Sequence, residues 1–167
     1  STTTAAATRS ADVASVNTLS PWYNASAGTL YADAETYIPS SAANQFPWIA
    51  QLDDGTANNK TQVILRVLTG YTDSGYDVKV GGVSQATFET NTNDGAQKKA
   101  LAIKANDFAF AVGGTVKNTD SSGSVPTVNR LCLGNQGLGS NFLNGYIRRI
   151  TYYPRRLSNA ELQGITT

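Results

Sequence analysis

The chain contains no histidine and no methionine, and its 167 residues include a single cysteine, Cys132. Without histidine there is no imidazole to activate a serine or a thiol, to ligate zinc, or to move protons near neutral pH. Triad hydrolysis and His-ligated zinc chemistry are excluded. A lone cysteine cannot close an internal disulfide. Cys132 alternates with Leu131 and Leu133 in "RLCLG", the place of a small strand residue rather than of a nucleophile. Charge is also scarce: 15 % of residues are Asp, Glu, Lys or Arg, and the net charge is +1, where about a quarter charged is usual. No block of one sign stands out. Nucleic acid is therefore not an expected partner, because it needs clustered Lys and Arg to displace counterions. No apolar run reaches the length of a bilayer span, and no charged-then-apolar leader opens the chain, so membrane insertion is not expected. The absence of an initial methionine suggests a processed chain or a piece of a longer one.

What the sequence has instead is Thr, Ser, Asn, Gln and Gly, which supply a polar surface without charge. The length suits one domain with a real core. The opening "STTTAAAT", residues 1–8, is low in complexity and reads as a linker or appended tail. Residues 9–167 are expected to form a single domain.

The rest reads as strands. In "GTLYADAETYIP" Leu30, Ala32, Ala34 and Thr36 alternate with Tyr31, Asp33, Glu35 and Tyr37, until Pro39 stops the pairing. "PWIAQLDDGT" sets Trp48, Ala50 and Leu52 on one side and ends in the turn signature Asp53-Asp54-Gly55. The run from Thr61 to Leu68 is nearly continuous in apolar residues, as a central strand covered on both faces would be. Gly81-Gly82 and Gly113-Gly114 mark tight hairpin turns. Many short strands with a turn signal every eight to twelve residues predict an all-β, two-sheet antiparallel sandwich. Its expected core includes Leu65, Val67, Val78, Leu101, Ile103, Phe108, Phe110 and Leu133.

The one helix signal comes last. Ser158 is a good N-cap, Glu161 stands three positions later where it can complete a capping box, and Leu157 and Leu162 occupy staple positions. The helix is expected to run to Gly164 and, being too short to stand alone, to plug an open end of the sandwich core. Ile147, Ile150 and Tyr153 break simple alternation, which a bulge near Arg148-Arg149 would restore.

The stretch "NGYIRRITYYPRRLSNAEL" resembles the closing motif of laminin-G-like domains in the concanavalin A-like lectin and glucanase superfamily. The matching residues are Gly145, Ile147, Ile150, Tyr153, Leu157, Ser158, Glu161 and Leu162. The resemblance extends loosely from about Gly28 onward and implies a jelly-roll sandwich with a short C-terminal helix. "TRSADVASVNTLSPWYNASAGTLYADAE" is similar to a stretch found in tail fibres, tail spikes and other structural proteins of bacteriophages, carried by Thr8, Arg9, Ala11, Asp12, Trp22, Tyr23, Asn24 and Gly28 to Tyr31. That likeness implies a virion location, extracellular action, other virion proteins as partners and a homotrimer as one assembly.

The superfamily implies sugar binding or glycan cleavage. Cleavage with retention needs two carboxylates about 5–5.5 Å apart. Asp33 and Glu35, spaced i, i+2, share a face, but Ala32, Ala34 and the missing third acid depart from the glucanase motif. The pair reads as a solvated polar face, and the chain is not expected to be an enzyme; a glycoside hydrolase is the minor alternative. Sugar binding needs a flat ring and a few polar groups. The candidates are Trp22, Tyr23 and Asn24, then Trp48 with Asp53 and Asp54, then Tyr71 beside Asp73. Trp48 also fits a core role. No cofactor is expected, although the resemblance leaves room for a rim Ca²⁺ to which Asp53 and Asp54 could contribute. The expected function is non-catalytic binding of a cell-surface polysaccharide or glycan. Virion decoration or assembly without sugar is the alternative.

Overall fold

The computed structural model describes residues 14–39, 45–137 and 141–167. The linker reading of residues 1–8 and the resemblance at Thr8, Arg9, Ala11 and Asp12 lie outside these. Eleven strands and one helix follow in chain order. They are β1 (Ala14–Val16), β2 (Ala27–Thr36), β3 (Trp48–Asp53), β4 (Lys60–Leu68), β5 (Tyr71–Val80), β6 (Val83–Glu89), β7 (Lys99–Lys104), β8 (Phe108–Val112), β9 (Thr115–Asp120), β10 (Arg130–Leu133), β11 (Gly145–Tyr153) and α1 (Asn159–Thr166). They build a six-stranded sheet, β1-β10-β3-β4-β5-β6, and a five-stranded sheet, β11-β2-β7-β8-β9. Every pairing is antiparallel. The expected sandwich is the fold observed.

The core lies between the sheets, where alternation places it. Leu30, Ala32 and Ala34 from β2, Val63, Leu65 and Val67 from β4, Leu101 and Ile103 from β7, and Phe108, Phe110 and Val112 from β8 form one buried cluster. Leu133 packs against that cluster but stays partly exposed. Central β4 is buried along almost its whole length. Gly81 and Gly82 (φ 58° and 82°), like Gly113 and Gly114 (φ 55° and 76°), occupy the left-handed region, as a two-residue turn matching the strand twist requires.

Two register slips decide which way key side chains point. One lies between Ile147 and Arg149 on β11, the expected bulge. The other, between Trp48 and Ala50, overturns the expected alternation of β3. Ile49, Ala50 and Leu52 enter the core. Trp48 instead pairs with Ile64 on the outer face, where the Lys60 ammonium stands 4.5 Å from the ring centre.

The terminal helix keeps its capping box: Ser158 Oγ accepts from Glu161 N–H at 3.3 Å, and Glu161 Oε2 accepts from Ser158 N–H at 2.7 Å. It runs two residues past Gly164, to Thr166, whose hydroxyl turns back to the Leu162 carbonyl at 2.8 Å. Its place differs from the expected plug. Leu157 and Leu162 are buried in a second cluster with Tyr31, Ala100, Ala102, Ala109 and Ala111, on the outer face of the five-stranded sheet. The alanines that alternate with core residues on β7 and β8 make a low shelf on which a helix can lie close. The main core is met instead by Trp22, Tyr23 and Tyr152, which pack against it beside the start of β2.

Candidate functional site

The outer face of the five-stranded sheet is only partly covered by α1. Beyond the helix, β2 and β11 present Asp33, Glu35 and Tyr146, with Tyr37 just past the end of β2. The pairing of the two strands sets Tyr146 directly opposite Glu35 and Arg149 opposite Asp33. The bulge then throws Arg148 onto the same face. Its guanidinium reaches Asp33 Oδ1 at 3.4 Å and Glu35 Oε1 at 2.8 Å. The hydrogen bond from Glu35 and its charge raise the pKa of Arg148.

Two depressions open on this face, of about 410 and 210 Å³, with Ala96 in the wall of both. Asp33, Lys98 and Arg148 line the larger, together with the end of α1. Glu35, Thr36, Thr72 and Asn93 line the smaller. Lys98 Nζ donates to the Thr167 carbonyl at 2.5 Å. Tyr37 and Tyr146 are 55 % and 57 % exposed and meet edge to face with ring centres 4.9 Å apart. Phe46 and Phe142 are the other exposed aromatic rings among the described residues. Backbone bonds gather their segments: Tyr37 N–H donates to Asn144 O at 2.8 Å and Trp48 N–H to Asn141 O at 3.1 Å. Ring faces, carboxylates and a guanidinium thus converge on one groove.

The wall of that groove is built by the loop between β6 and β7. Lys99, fully buried, points inward from β7 with Leu101 and Ile103, and its ammonium donates to the carbonyls of Gly95, at 2.8 Å, and Gln97. Burial pulls its pKa down to about 7 against the pull of Asp94 and Asp33. The Asp94 carboxylate accepts from Thr90 Oγ1 at 2.8 Å and Thr92 Oγ1 at 3.3 Å, which ties the loop to itself.

The residues singled out from sequence fall elsewhere. Trp22 and Tyr23 stack around Tyr152, with ring centres 5.4 and 5.3 Å from it. Tyr152 Oη donates to the Asn24 carbonyl at 3.0 Å, and burial pushes the Tyr23 phenol up. The Asn24 amide donates to Pro154 O at 2.9 Å and its carbonyl accepts from Ser26 N–H at 2.9 Å. The three serve as a structural corner. Trp48, at 6 % exposure, and Asp53, at 0 %, are too buried to meet a sugar. Asp53 accepts from Gly55 N–H at 2.8 Å and from Arg130 and Gln51, with Cys132 Sγ at 3.8 Å. Asp54 accepts from Thr56 and from Asn59, at 2.8 Å, and these bonds hold its carboxyl below the usual range. Tyr71 is half-buried opposite Leu68 at the β4–β5 turn, and Asp73 is bound by Arg66. A Ca²⁺ held by Asp53 and Asp54 does not fit, since Asp53 is already neutralised by a guanidinium. Among the described residues no three acidic, Cys or His side chains cluster to hold a metal.

Sequence reasoning placed Tyr37, Asp33 and Glu35 on one face but missed Tyr146, Arg148 and Lys98. The missing signal was the pairing of the closing strand with β2, which alone puts Tyr146 beside Glu35.

No protein-family model and no curated protein matches the sequence. Solved structures do match in fold. Domains LG4-5 of the mouse laminin α1 chain superpose with a TM-score of 0.62 at 11 % identity, covering 88 % of this chain and 40 % of that one. A structure of botulinum neurotoxin type C, which depends on interaction with two ganglioside molecules to enter cells, gives 0.55 at 5 % identity, covering 84 % and 34 %. The sialidase of Trypanosoma rangeli gives 0.53 at 16 % identity, covering 84 % and 22 %. The chain thus spans less than half the length of each. Identities this low carry the fold alone: the chain is a concanavalin A-like jelly-roll sandwich of the kind found in laminin G domains.

Proposed function

We propose that this domain is a non-catalytic carbohydrate-binding module and that its site is the groove on the outer face of the five-stranded sheet. The observation that carries the reading is the exposed Tyr37–Tyr146 pair beside Asp33, Glu35 and Arg148. A pyranose has an apolar face for an aromatic ring and hydroxyls for carboxylates and guanidinium. The likeness in fold to a ganglioside-dependent toxin and to a sialidase lends support by analogy, and fold alone does not assign function.

Catalysis is disfavoured by geometry. Arg148 sits between the two carboxylates, so a guanidinium fills the space a glycosidic oxygen would need. The finer reading is a receptor-binding module on a bacteriophage virion that attaches to host surface glycan. It rests on the sequence likeness carried by Trp22 to Asn24 and Gly28 to Tyr31.

A glycan array followed by calorimetry tests the proposal. Binding should weaken at least about tenfold in Tyr146→Ala, in line with the loss of one stacked ring, while the melting temperature stays close to that of the parent. No turnover of bound polysaccharide is expected. Glycan release abolished by Glu35→Gln would instead make the domain an enzyme. Absence of any glycan ligand would favour a role in virion assembly.

A further inference from the structure

We propose that the groove selects uncharged sugars and discriminates against sialylated, sulfated or uronate-bearing glycans. The inference rests on the carbohydrate-binding reading above and adds the ligand class. It starts from the charges that line the groove. Asp33 and Glu35 stand on the same face of β2, with side chains 20 % and 27 % exposed, and Arg148 beside them is 48 % exposed. The guanidinium reaches each carboxylate through one oxygen, Asp33 Oδ1 and Glu35 Oε1, leaving Oδ2 and Oε2 turned to the groove as acceptors. Lys98, the other cation of the lining, is engaged by the Thr167 carbonyl.

A hydroxyl can donate to a carboxylate, and charge-assisted bonds of this kind are the strong ones. Two carboxylates along one strand offer acceptors to hydroxyls of a single ring or of adjacent rings. A ligand anion offers no proton to them. Placed on the Tyr37–Tyr146 rings, opposite Glu35, it would approach two like charges whose compensating cation is already shared between them. Like charges a few ångströms apart near a protein surface cost well over tenfold in affinity. Arg149, across from Asp33, leans over the Tyr31 ring at 5.9 Å and donates to Thr151 Oγ1 at 3.0 Å, which turns it along β11.

The groove therefore differs from a basic, salt-sensitive anion site. Its contacts are stacking and hydroxyl bonds, and these are weakly screened by salt.

Calorimetry against neutral oligosaccharides and the same oligosaccharides carrying sialic acid or sulfate tests the assignment. The neutral members should bind at least about tenfold tighter than their charged derivatives, with less than about twofold change between low and high salt. Glu35→Gln, with folding checked by its melting curve, should weaken the neutral ligand and narrow the gap to the charged one. Equal or tighter binding of the charged derivatives, a steep salt dependence, or a gap unchanged in Glu35→Gln would overturn the selectivity while leaving carbohydrate binding intact. If no member of either series binds, the carbohydrate reading itself fails, and the selectivity with it.

Discussion

The buried Lys99 should make stability rise with pH in a window where few proteins show it. Its ammonium is fully buried and is held by the carbonyls of Gly95 and Gln97. Its pKa falls from 10.5 to about 7, first by loss of solvation, with Asp94 and Asp33 opposing. Below pH 7 both folded and unfolded chains carry the proton, and the cost of burying the charge is present in full. Between pH 7 and 10 the unfolded chain still binds a proton that the native state has released. Stability then climbs with pH, by at most about 1.4 kcal/mol per unit for one group. From pH 7 to 8.5 that amounts to about 2 kcal/mol, or about 1 M in the urea midpoint of a domain this size. No histidine titrates in this window, because the chain has none. Lys60, also lowered by burial, adds with the same sign, and Cys132, raised by burial, opposes from about the model thiol value upward. Urea melts at half-unit steps of pH provide the measurement, with Lys99→Met as the comparison. The variant should flatten the rise whatever its stability at any one pH. A flat profile in the parent, or an unchanged slope in Lys99→Met, would refute the reasoning.

Other expectations concern the corners and the tail. Ser158→Ala removes the cap acceptor and should cost about 0.5–2 kcal/mol; Leu162→Ala, which empties a fully buried site over the alanine shelf, should cost about 2–5 kcal/mol. Equal small losses for the two by thermal melting would mean that the helix is not packed as described. Gly28→Ala should be strongly destabilising, because a Cβ there would lie 2.2 Å from Tyr152 Oη, the atom that ties the Asn24 corner; unaltered chemical denaturation would contradict that contact. Asp53→Ala leaves the Arg130 guanidinium without its buried partner and should cost about 3–5 kcal/mol, while glycan affinity measured on the still-folded fraction should hold, since Asp53 lies outside the proposed groove.

The chain order of its residues determined a good deal by itself. Alternation along β2, β4, β7 and β8 is a local property of the strand repeat, so the core members and the outer-facing Tyr31, Asp33, Glu35 and Tyr37 could be read directly. Paired glycines dictated the hairpins because few other residues tolerate their backbone angles. The capping box was legible because all its bonds lie within four residues. What the tertiary structure decided are the matters of register and neighbourhood. The slip at Trp48 turned that ring away from the core, as a one-residue shift exchanges the faces of a strand. Tyr146 meets Glu35, and Arg148 bridges two acids more than a hundred residues away, only because β11 pairs with β2. The helix lies on alanines of β7 and β8 instead of closing the core, and Lys99 is buried although nothing in "AQKKAL" separates it from the exposed Lys98 except its parity along the strand. Each of these depends on contacts between distant segments, and a local pattern holds no record of which distant strand will lie beside it.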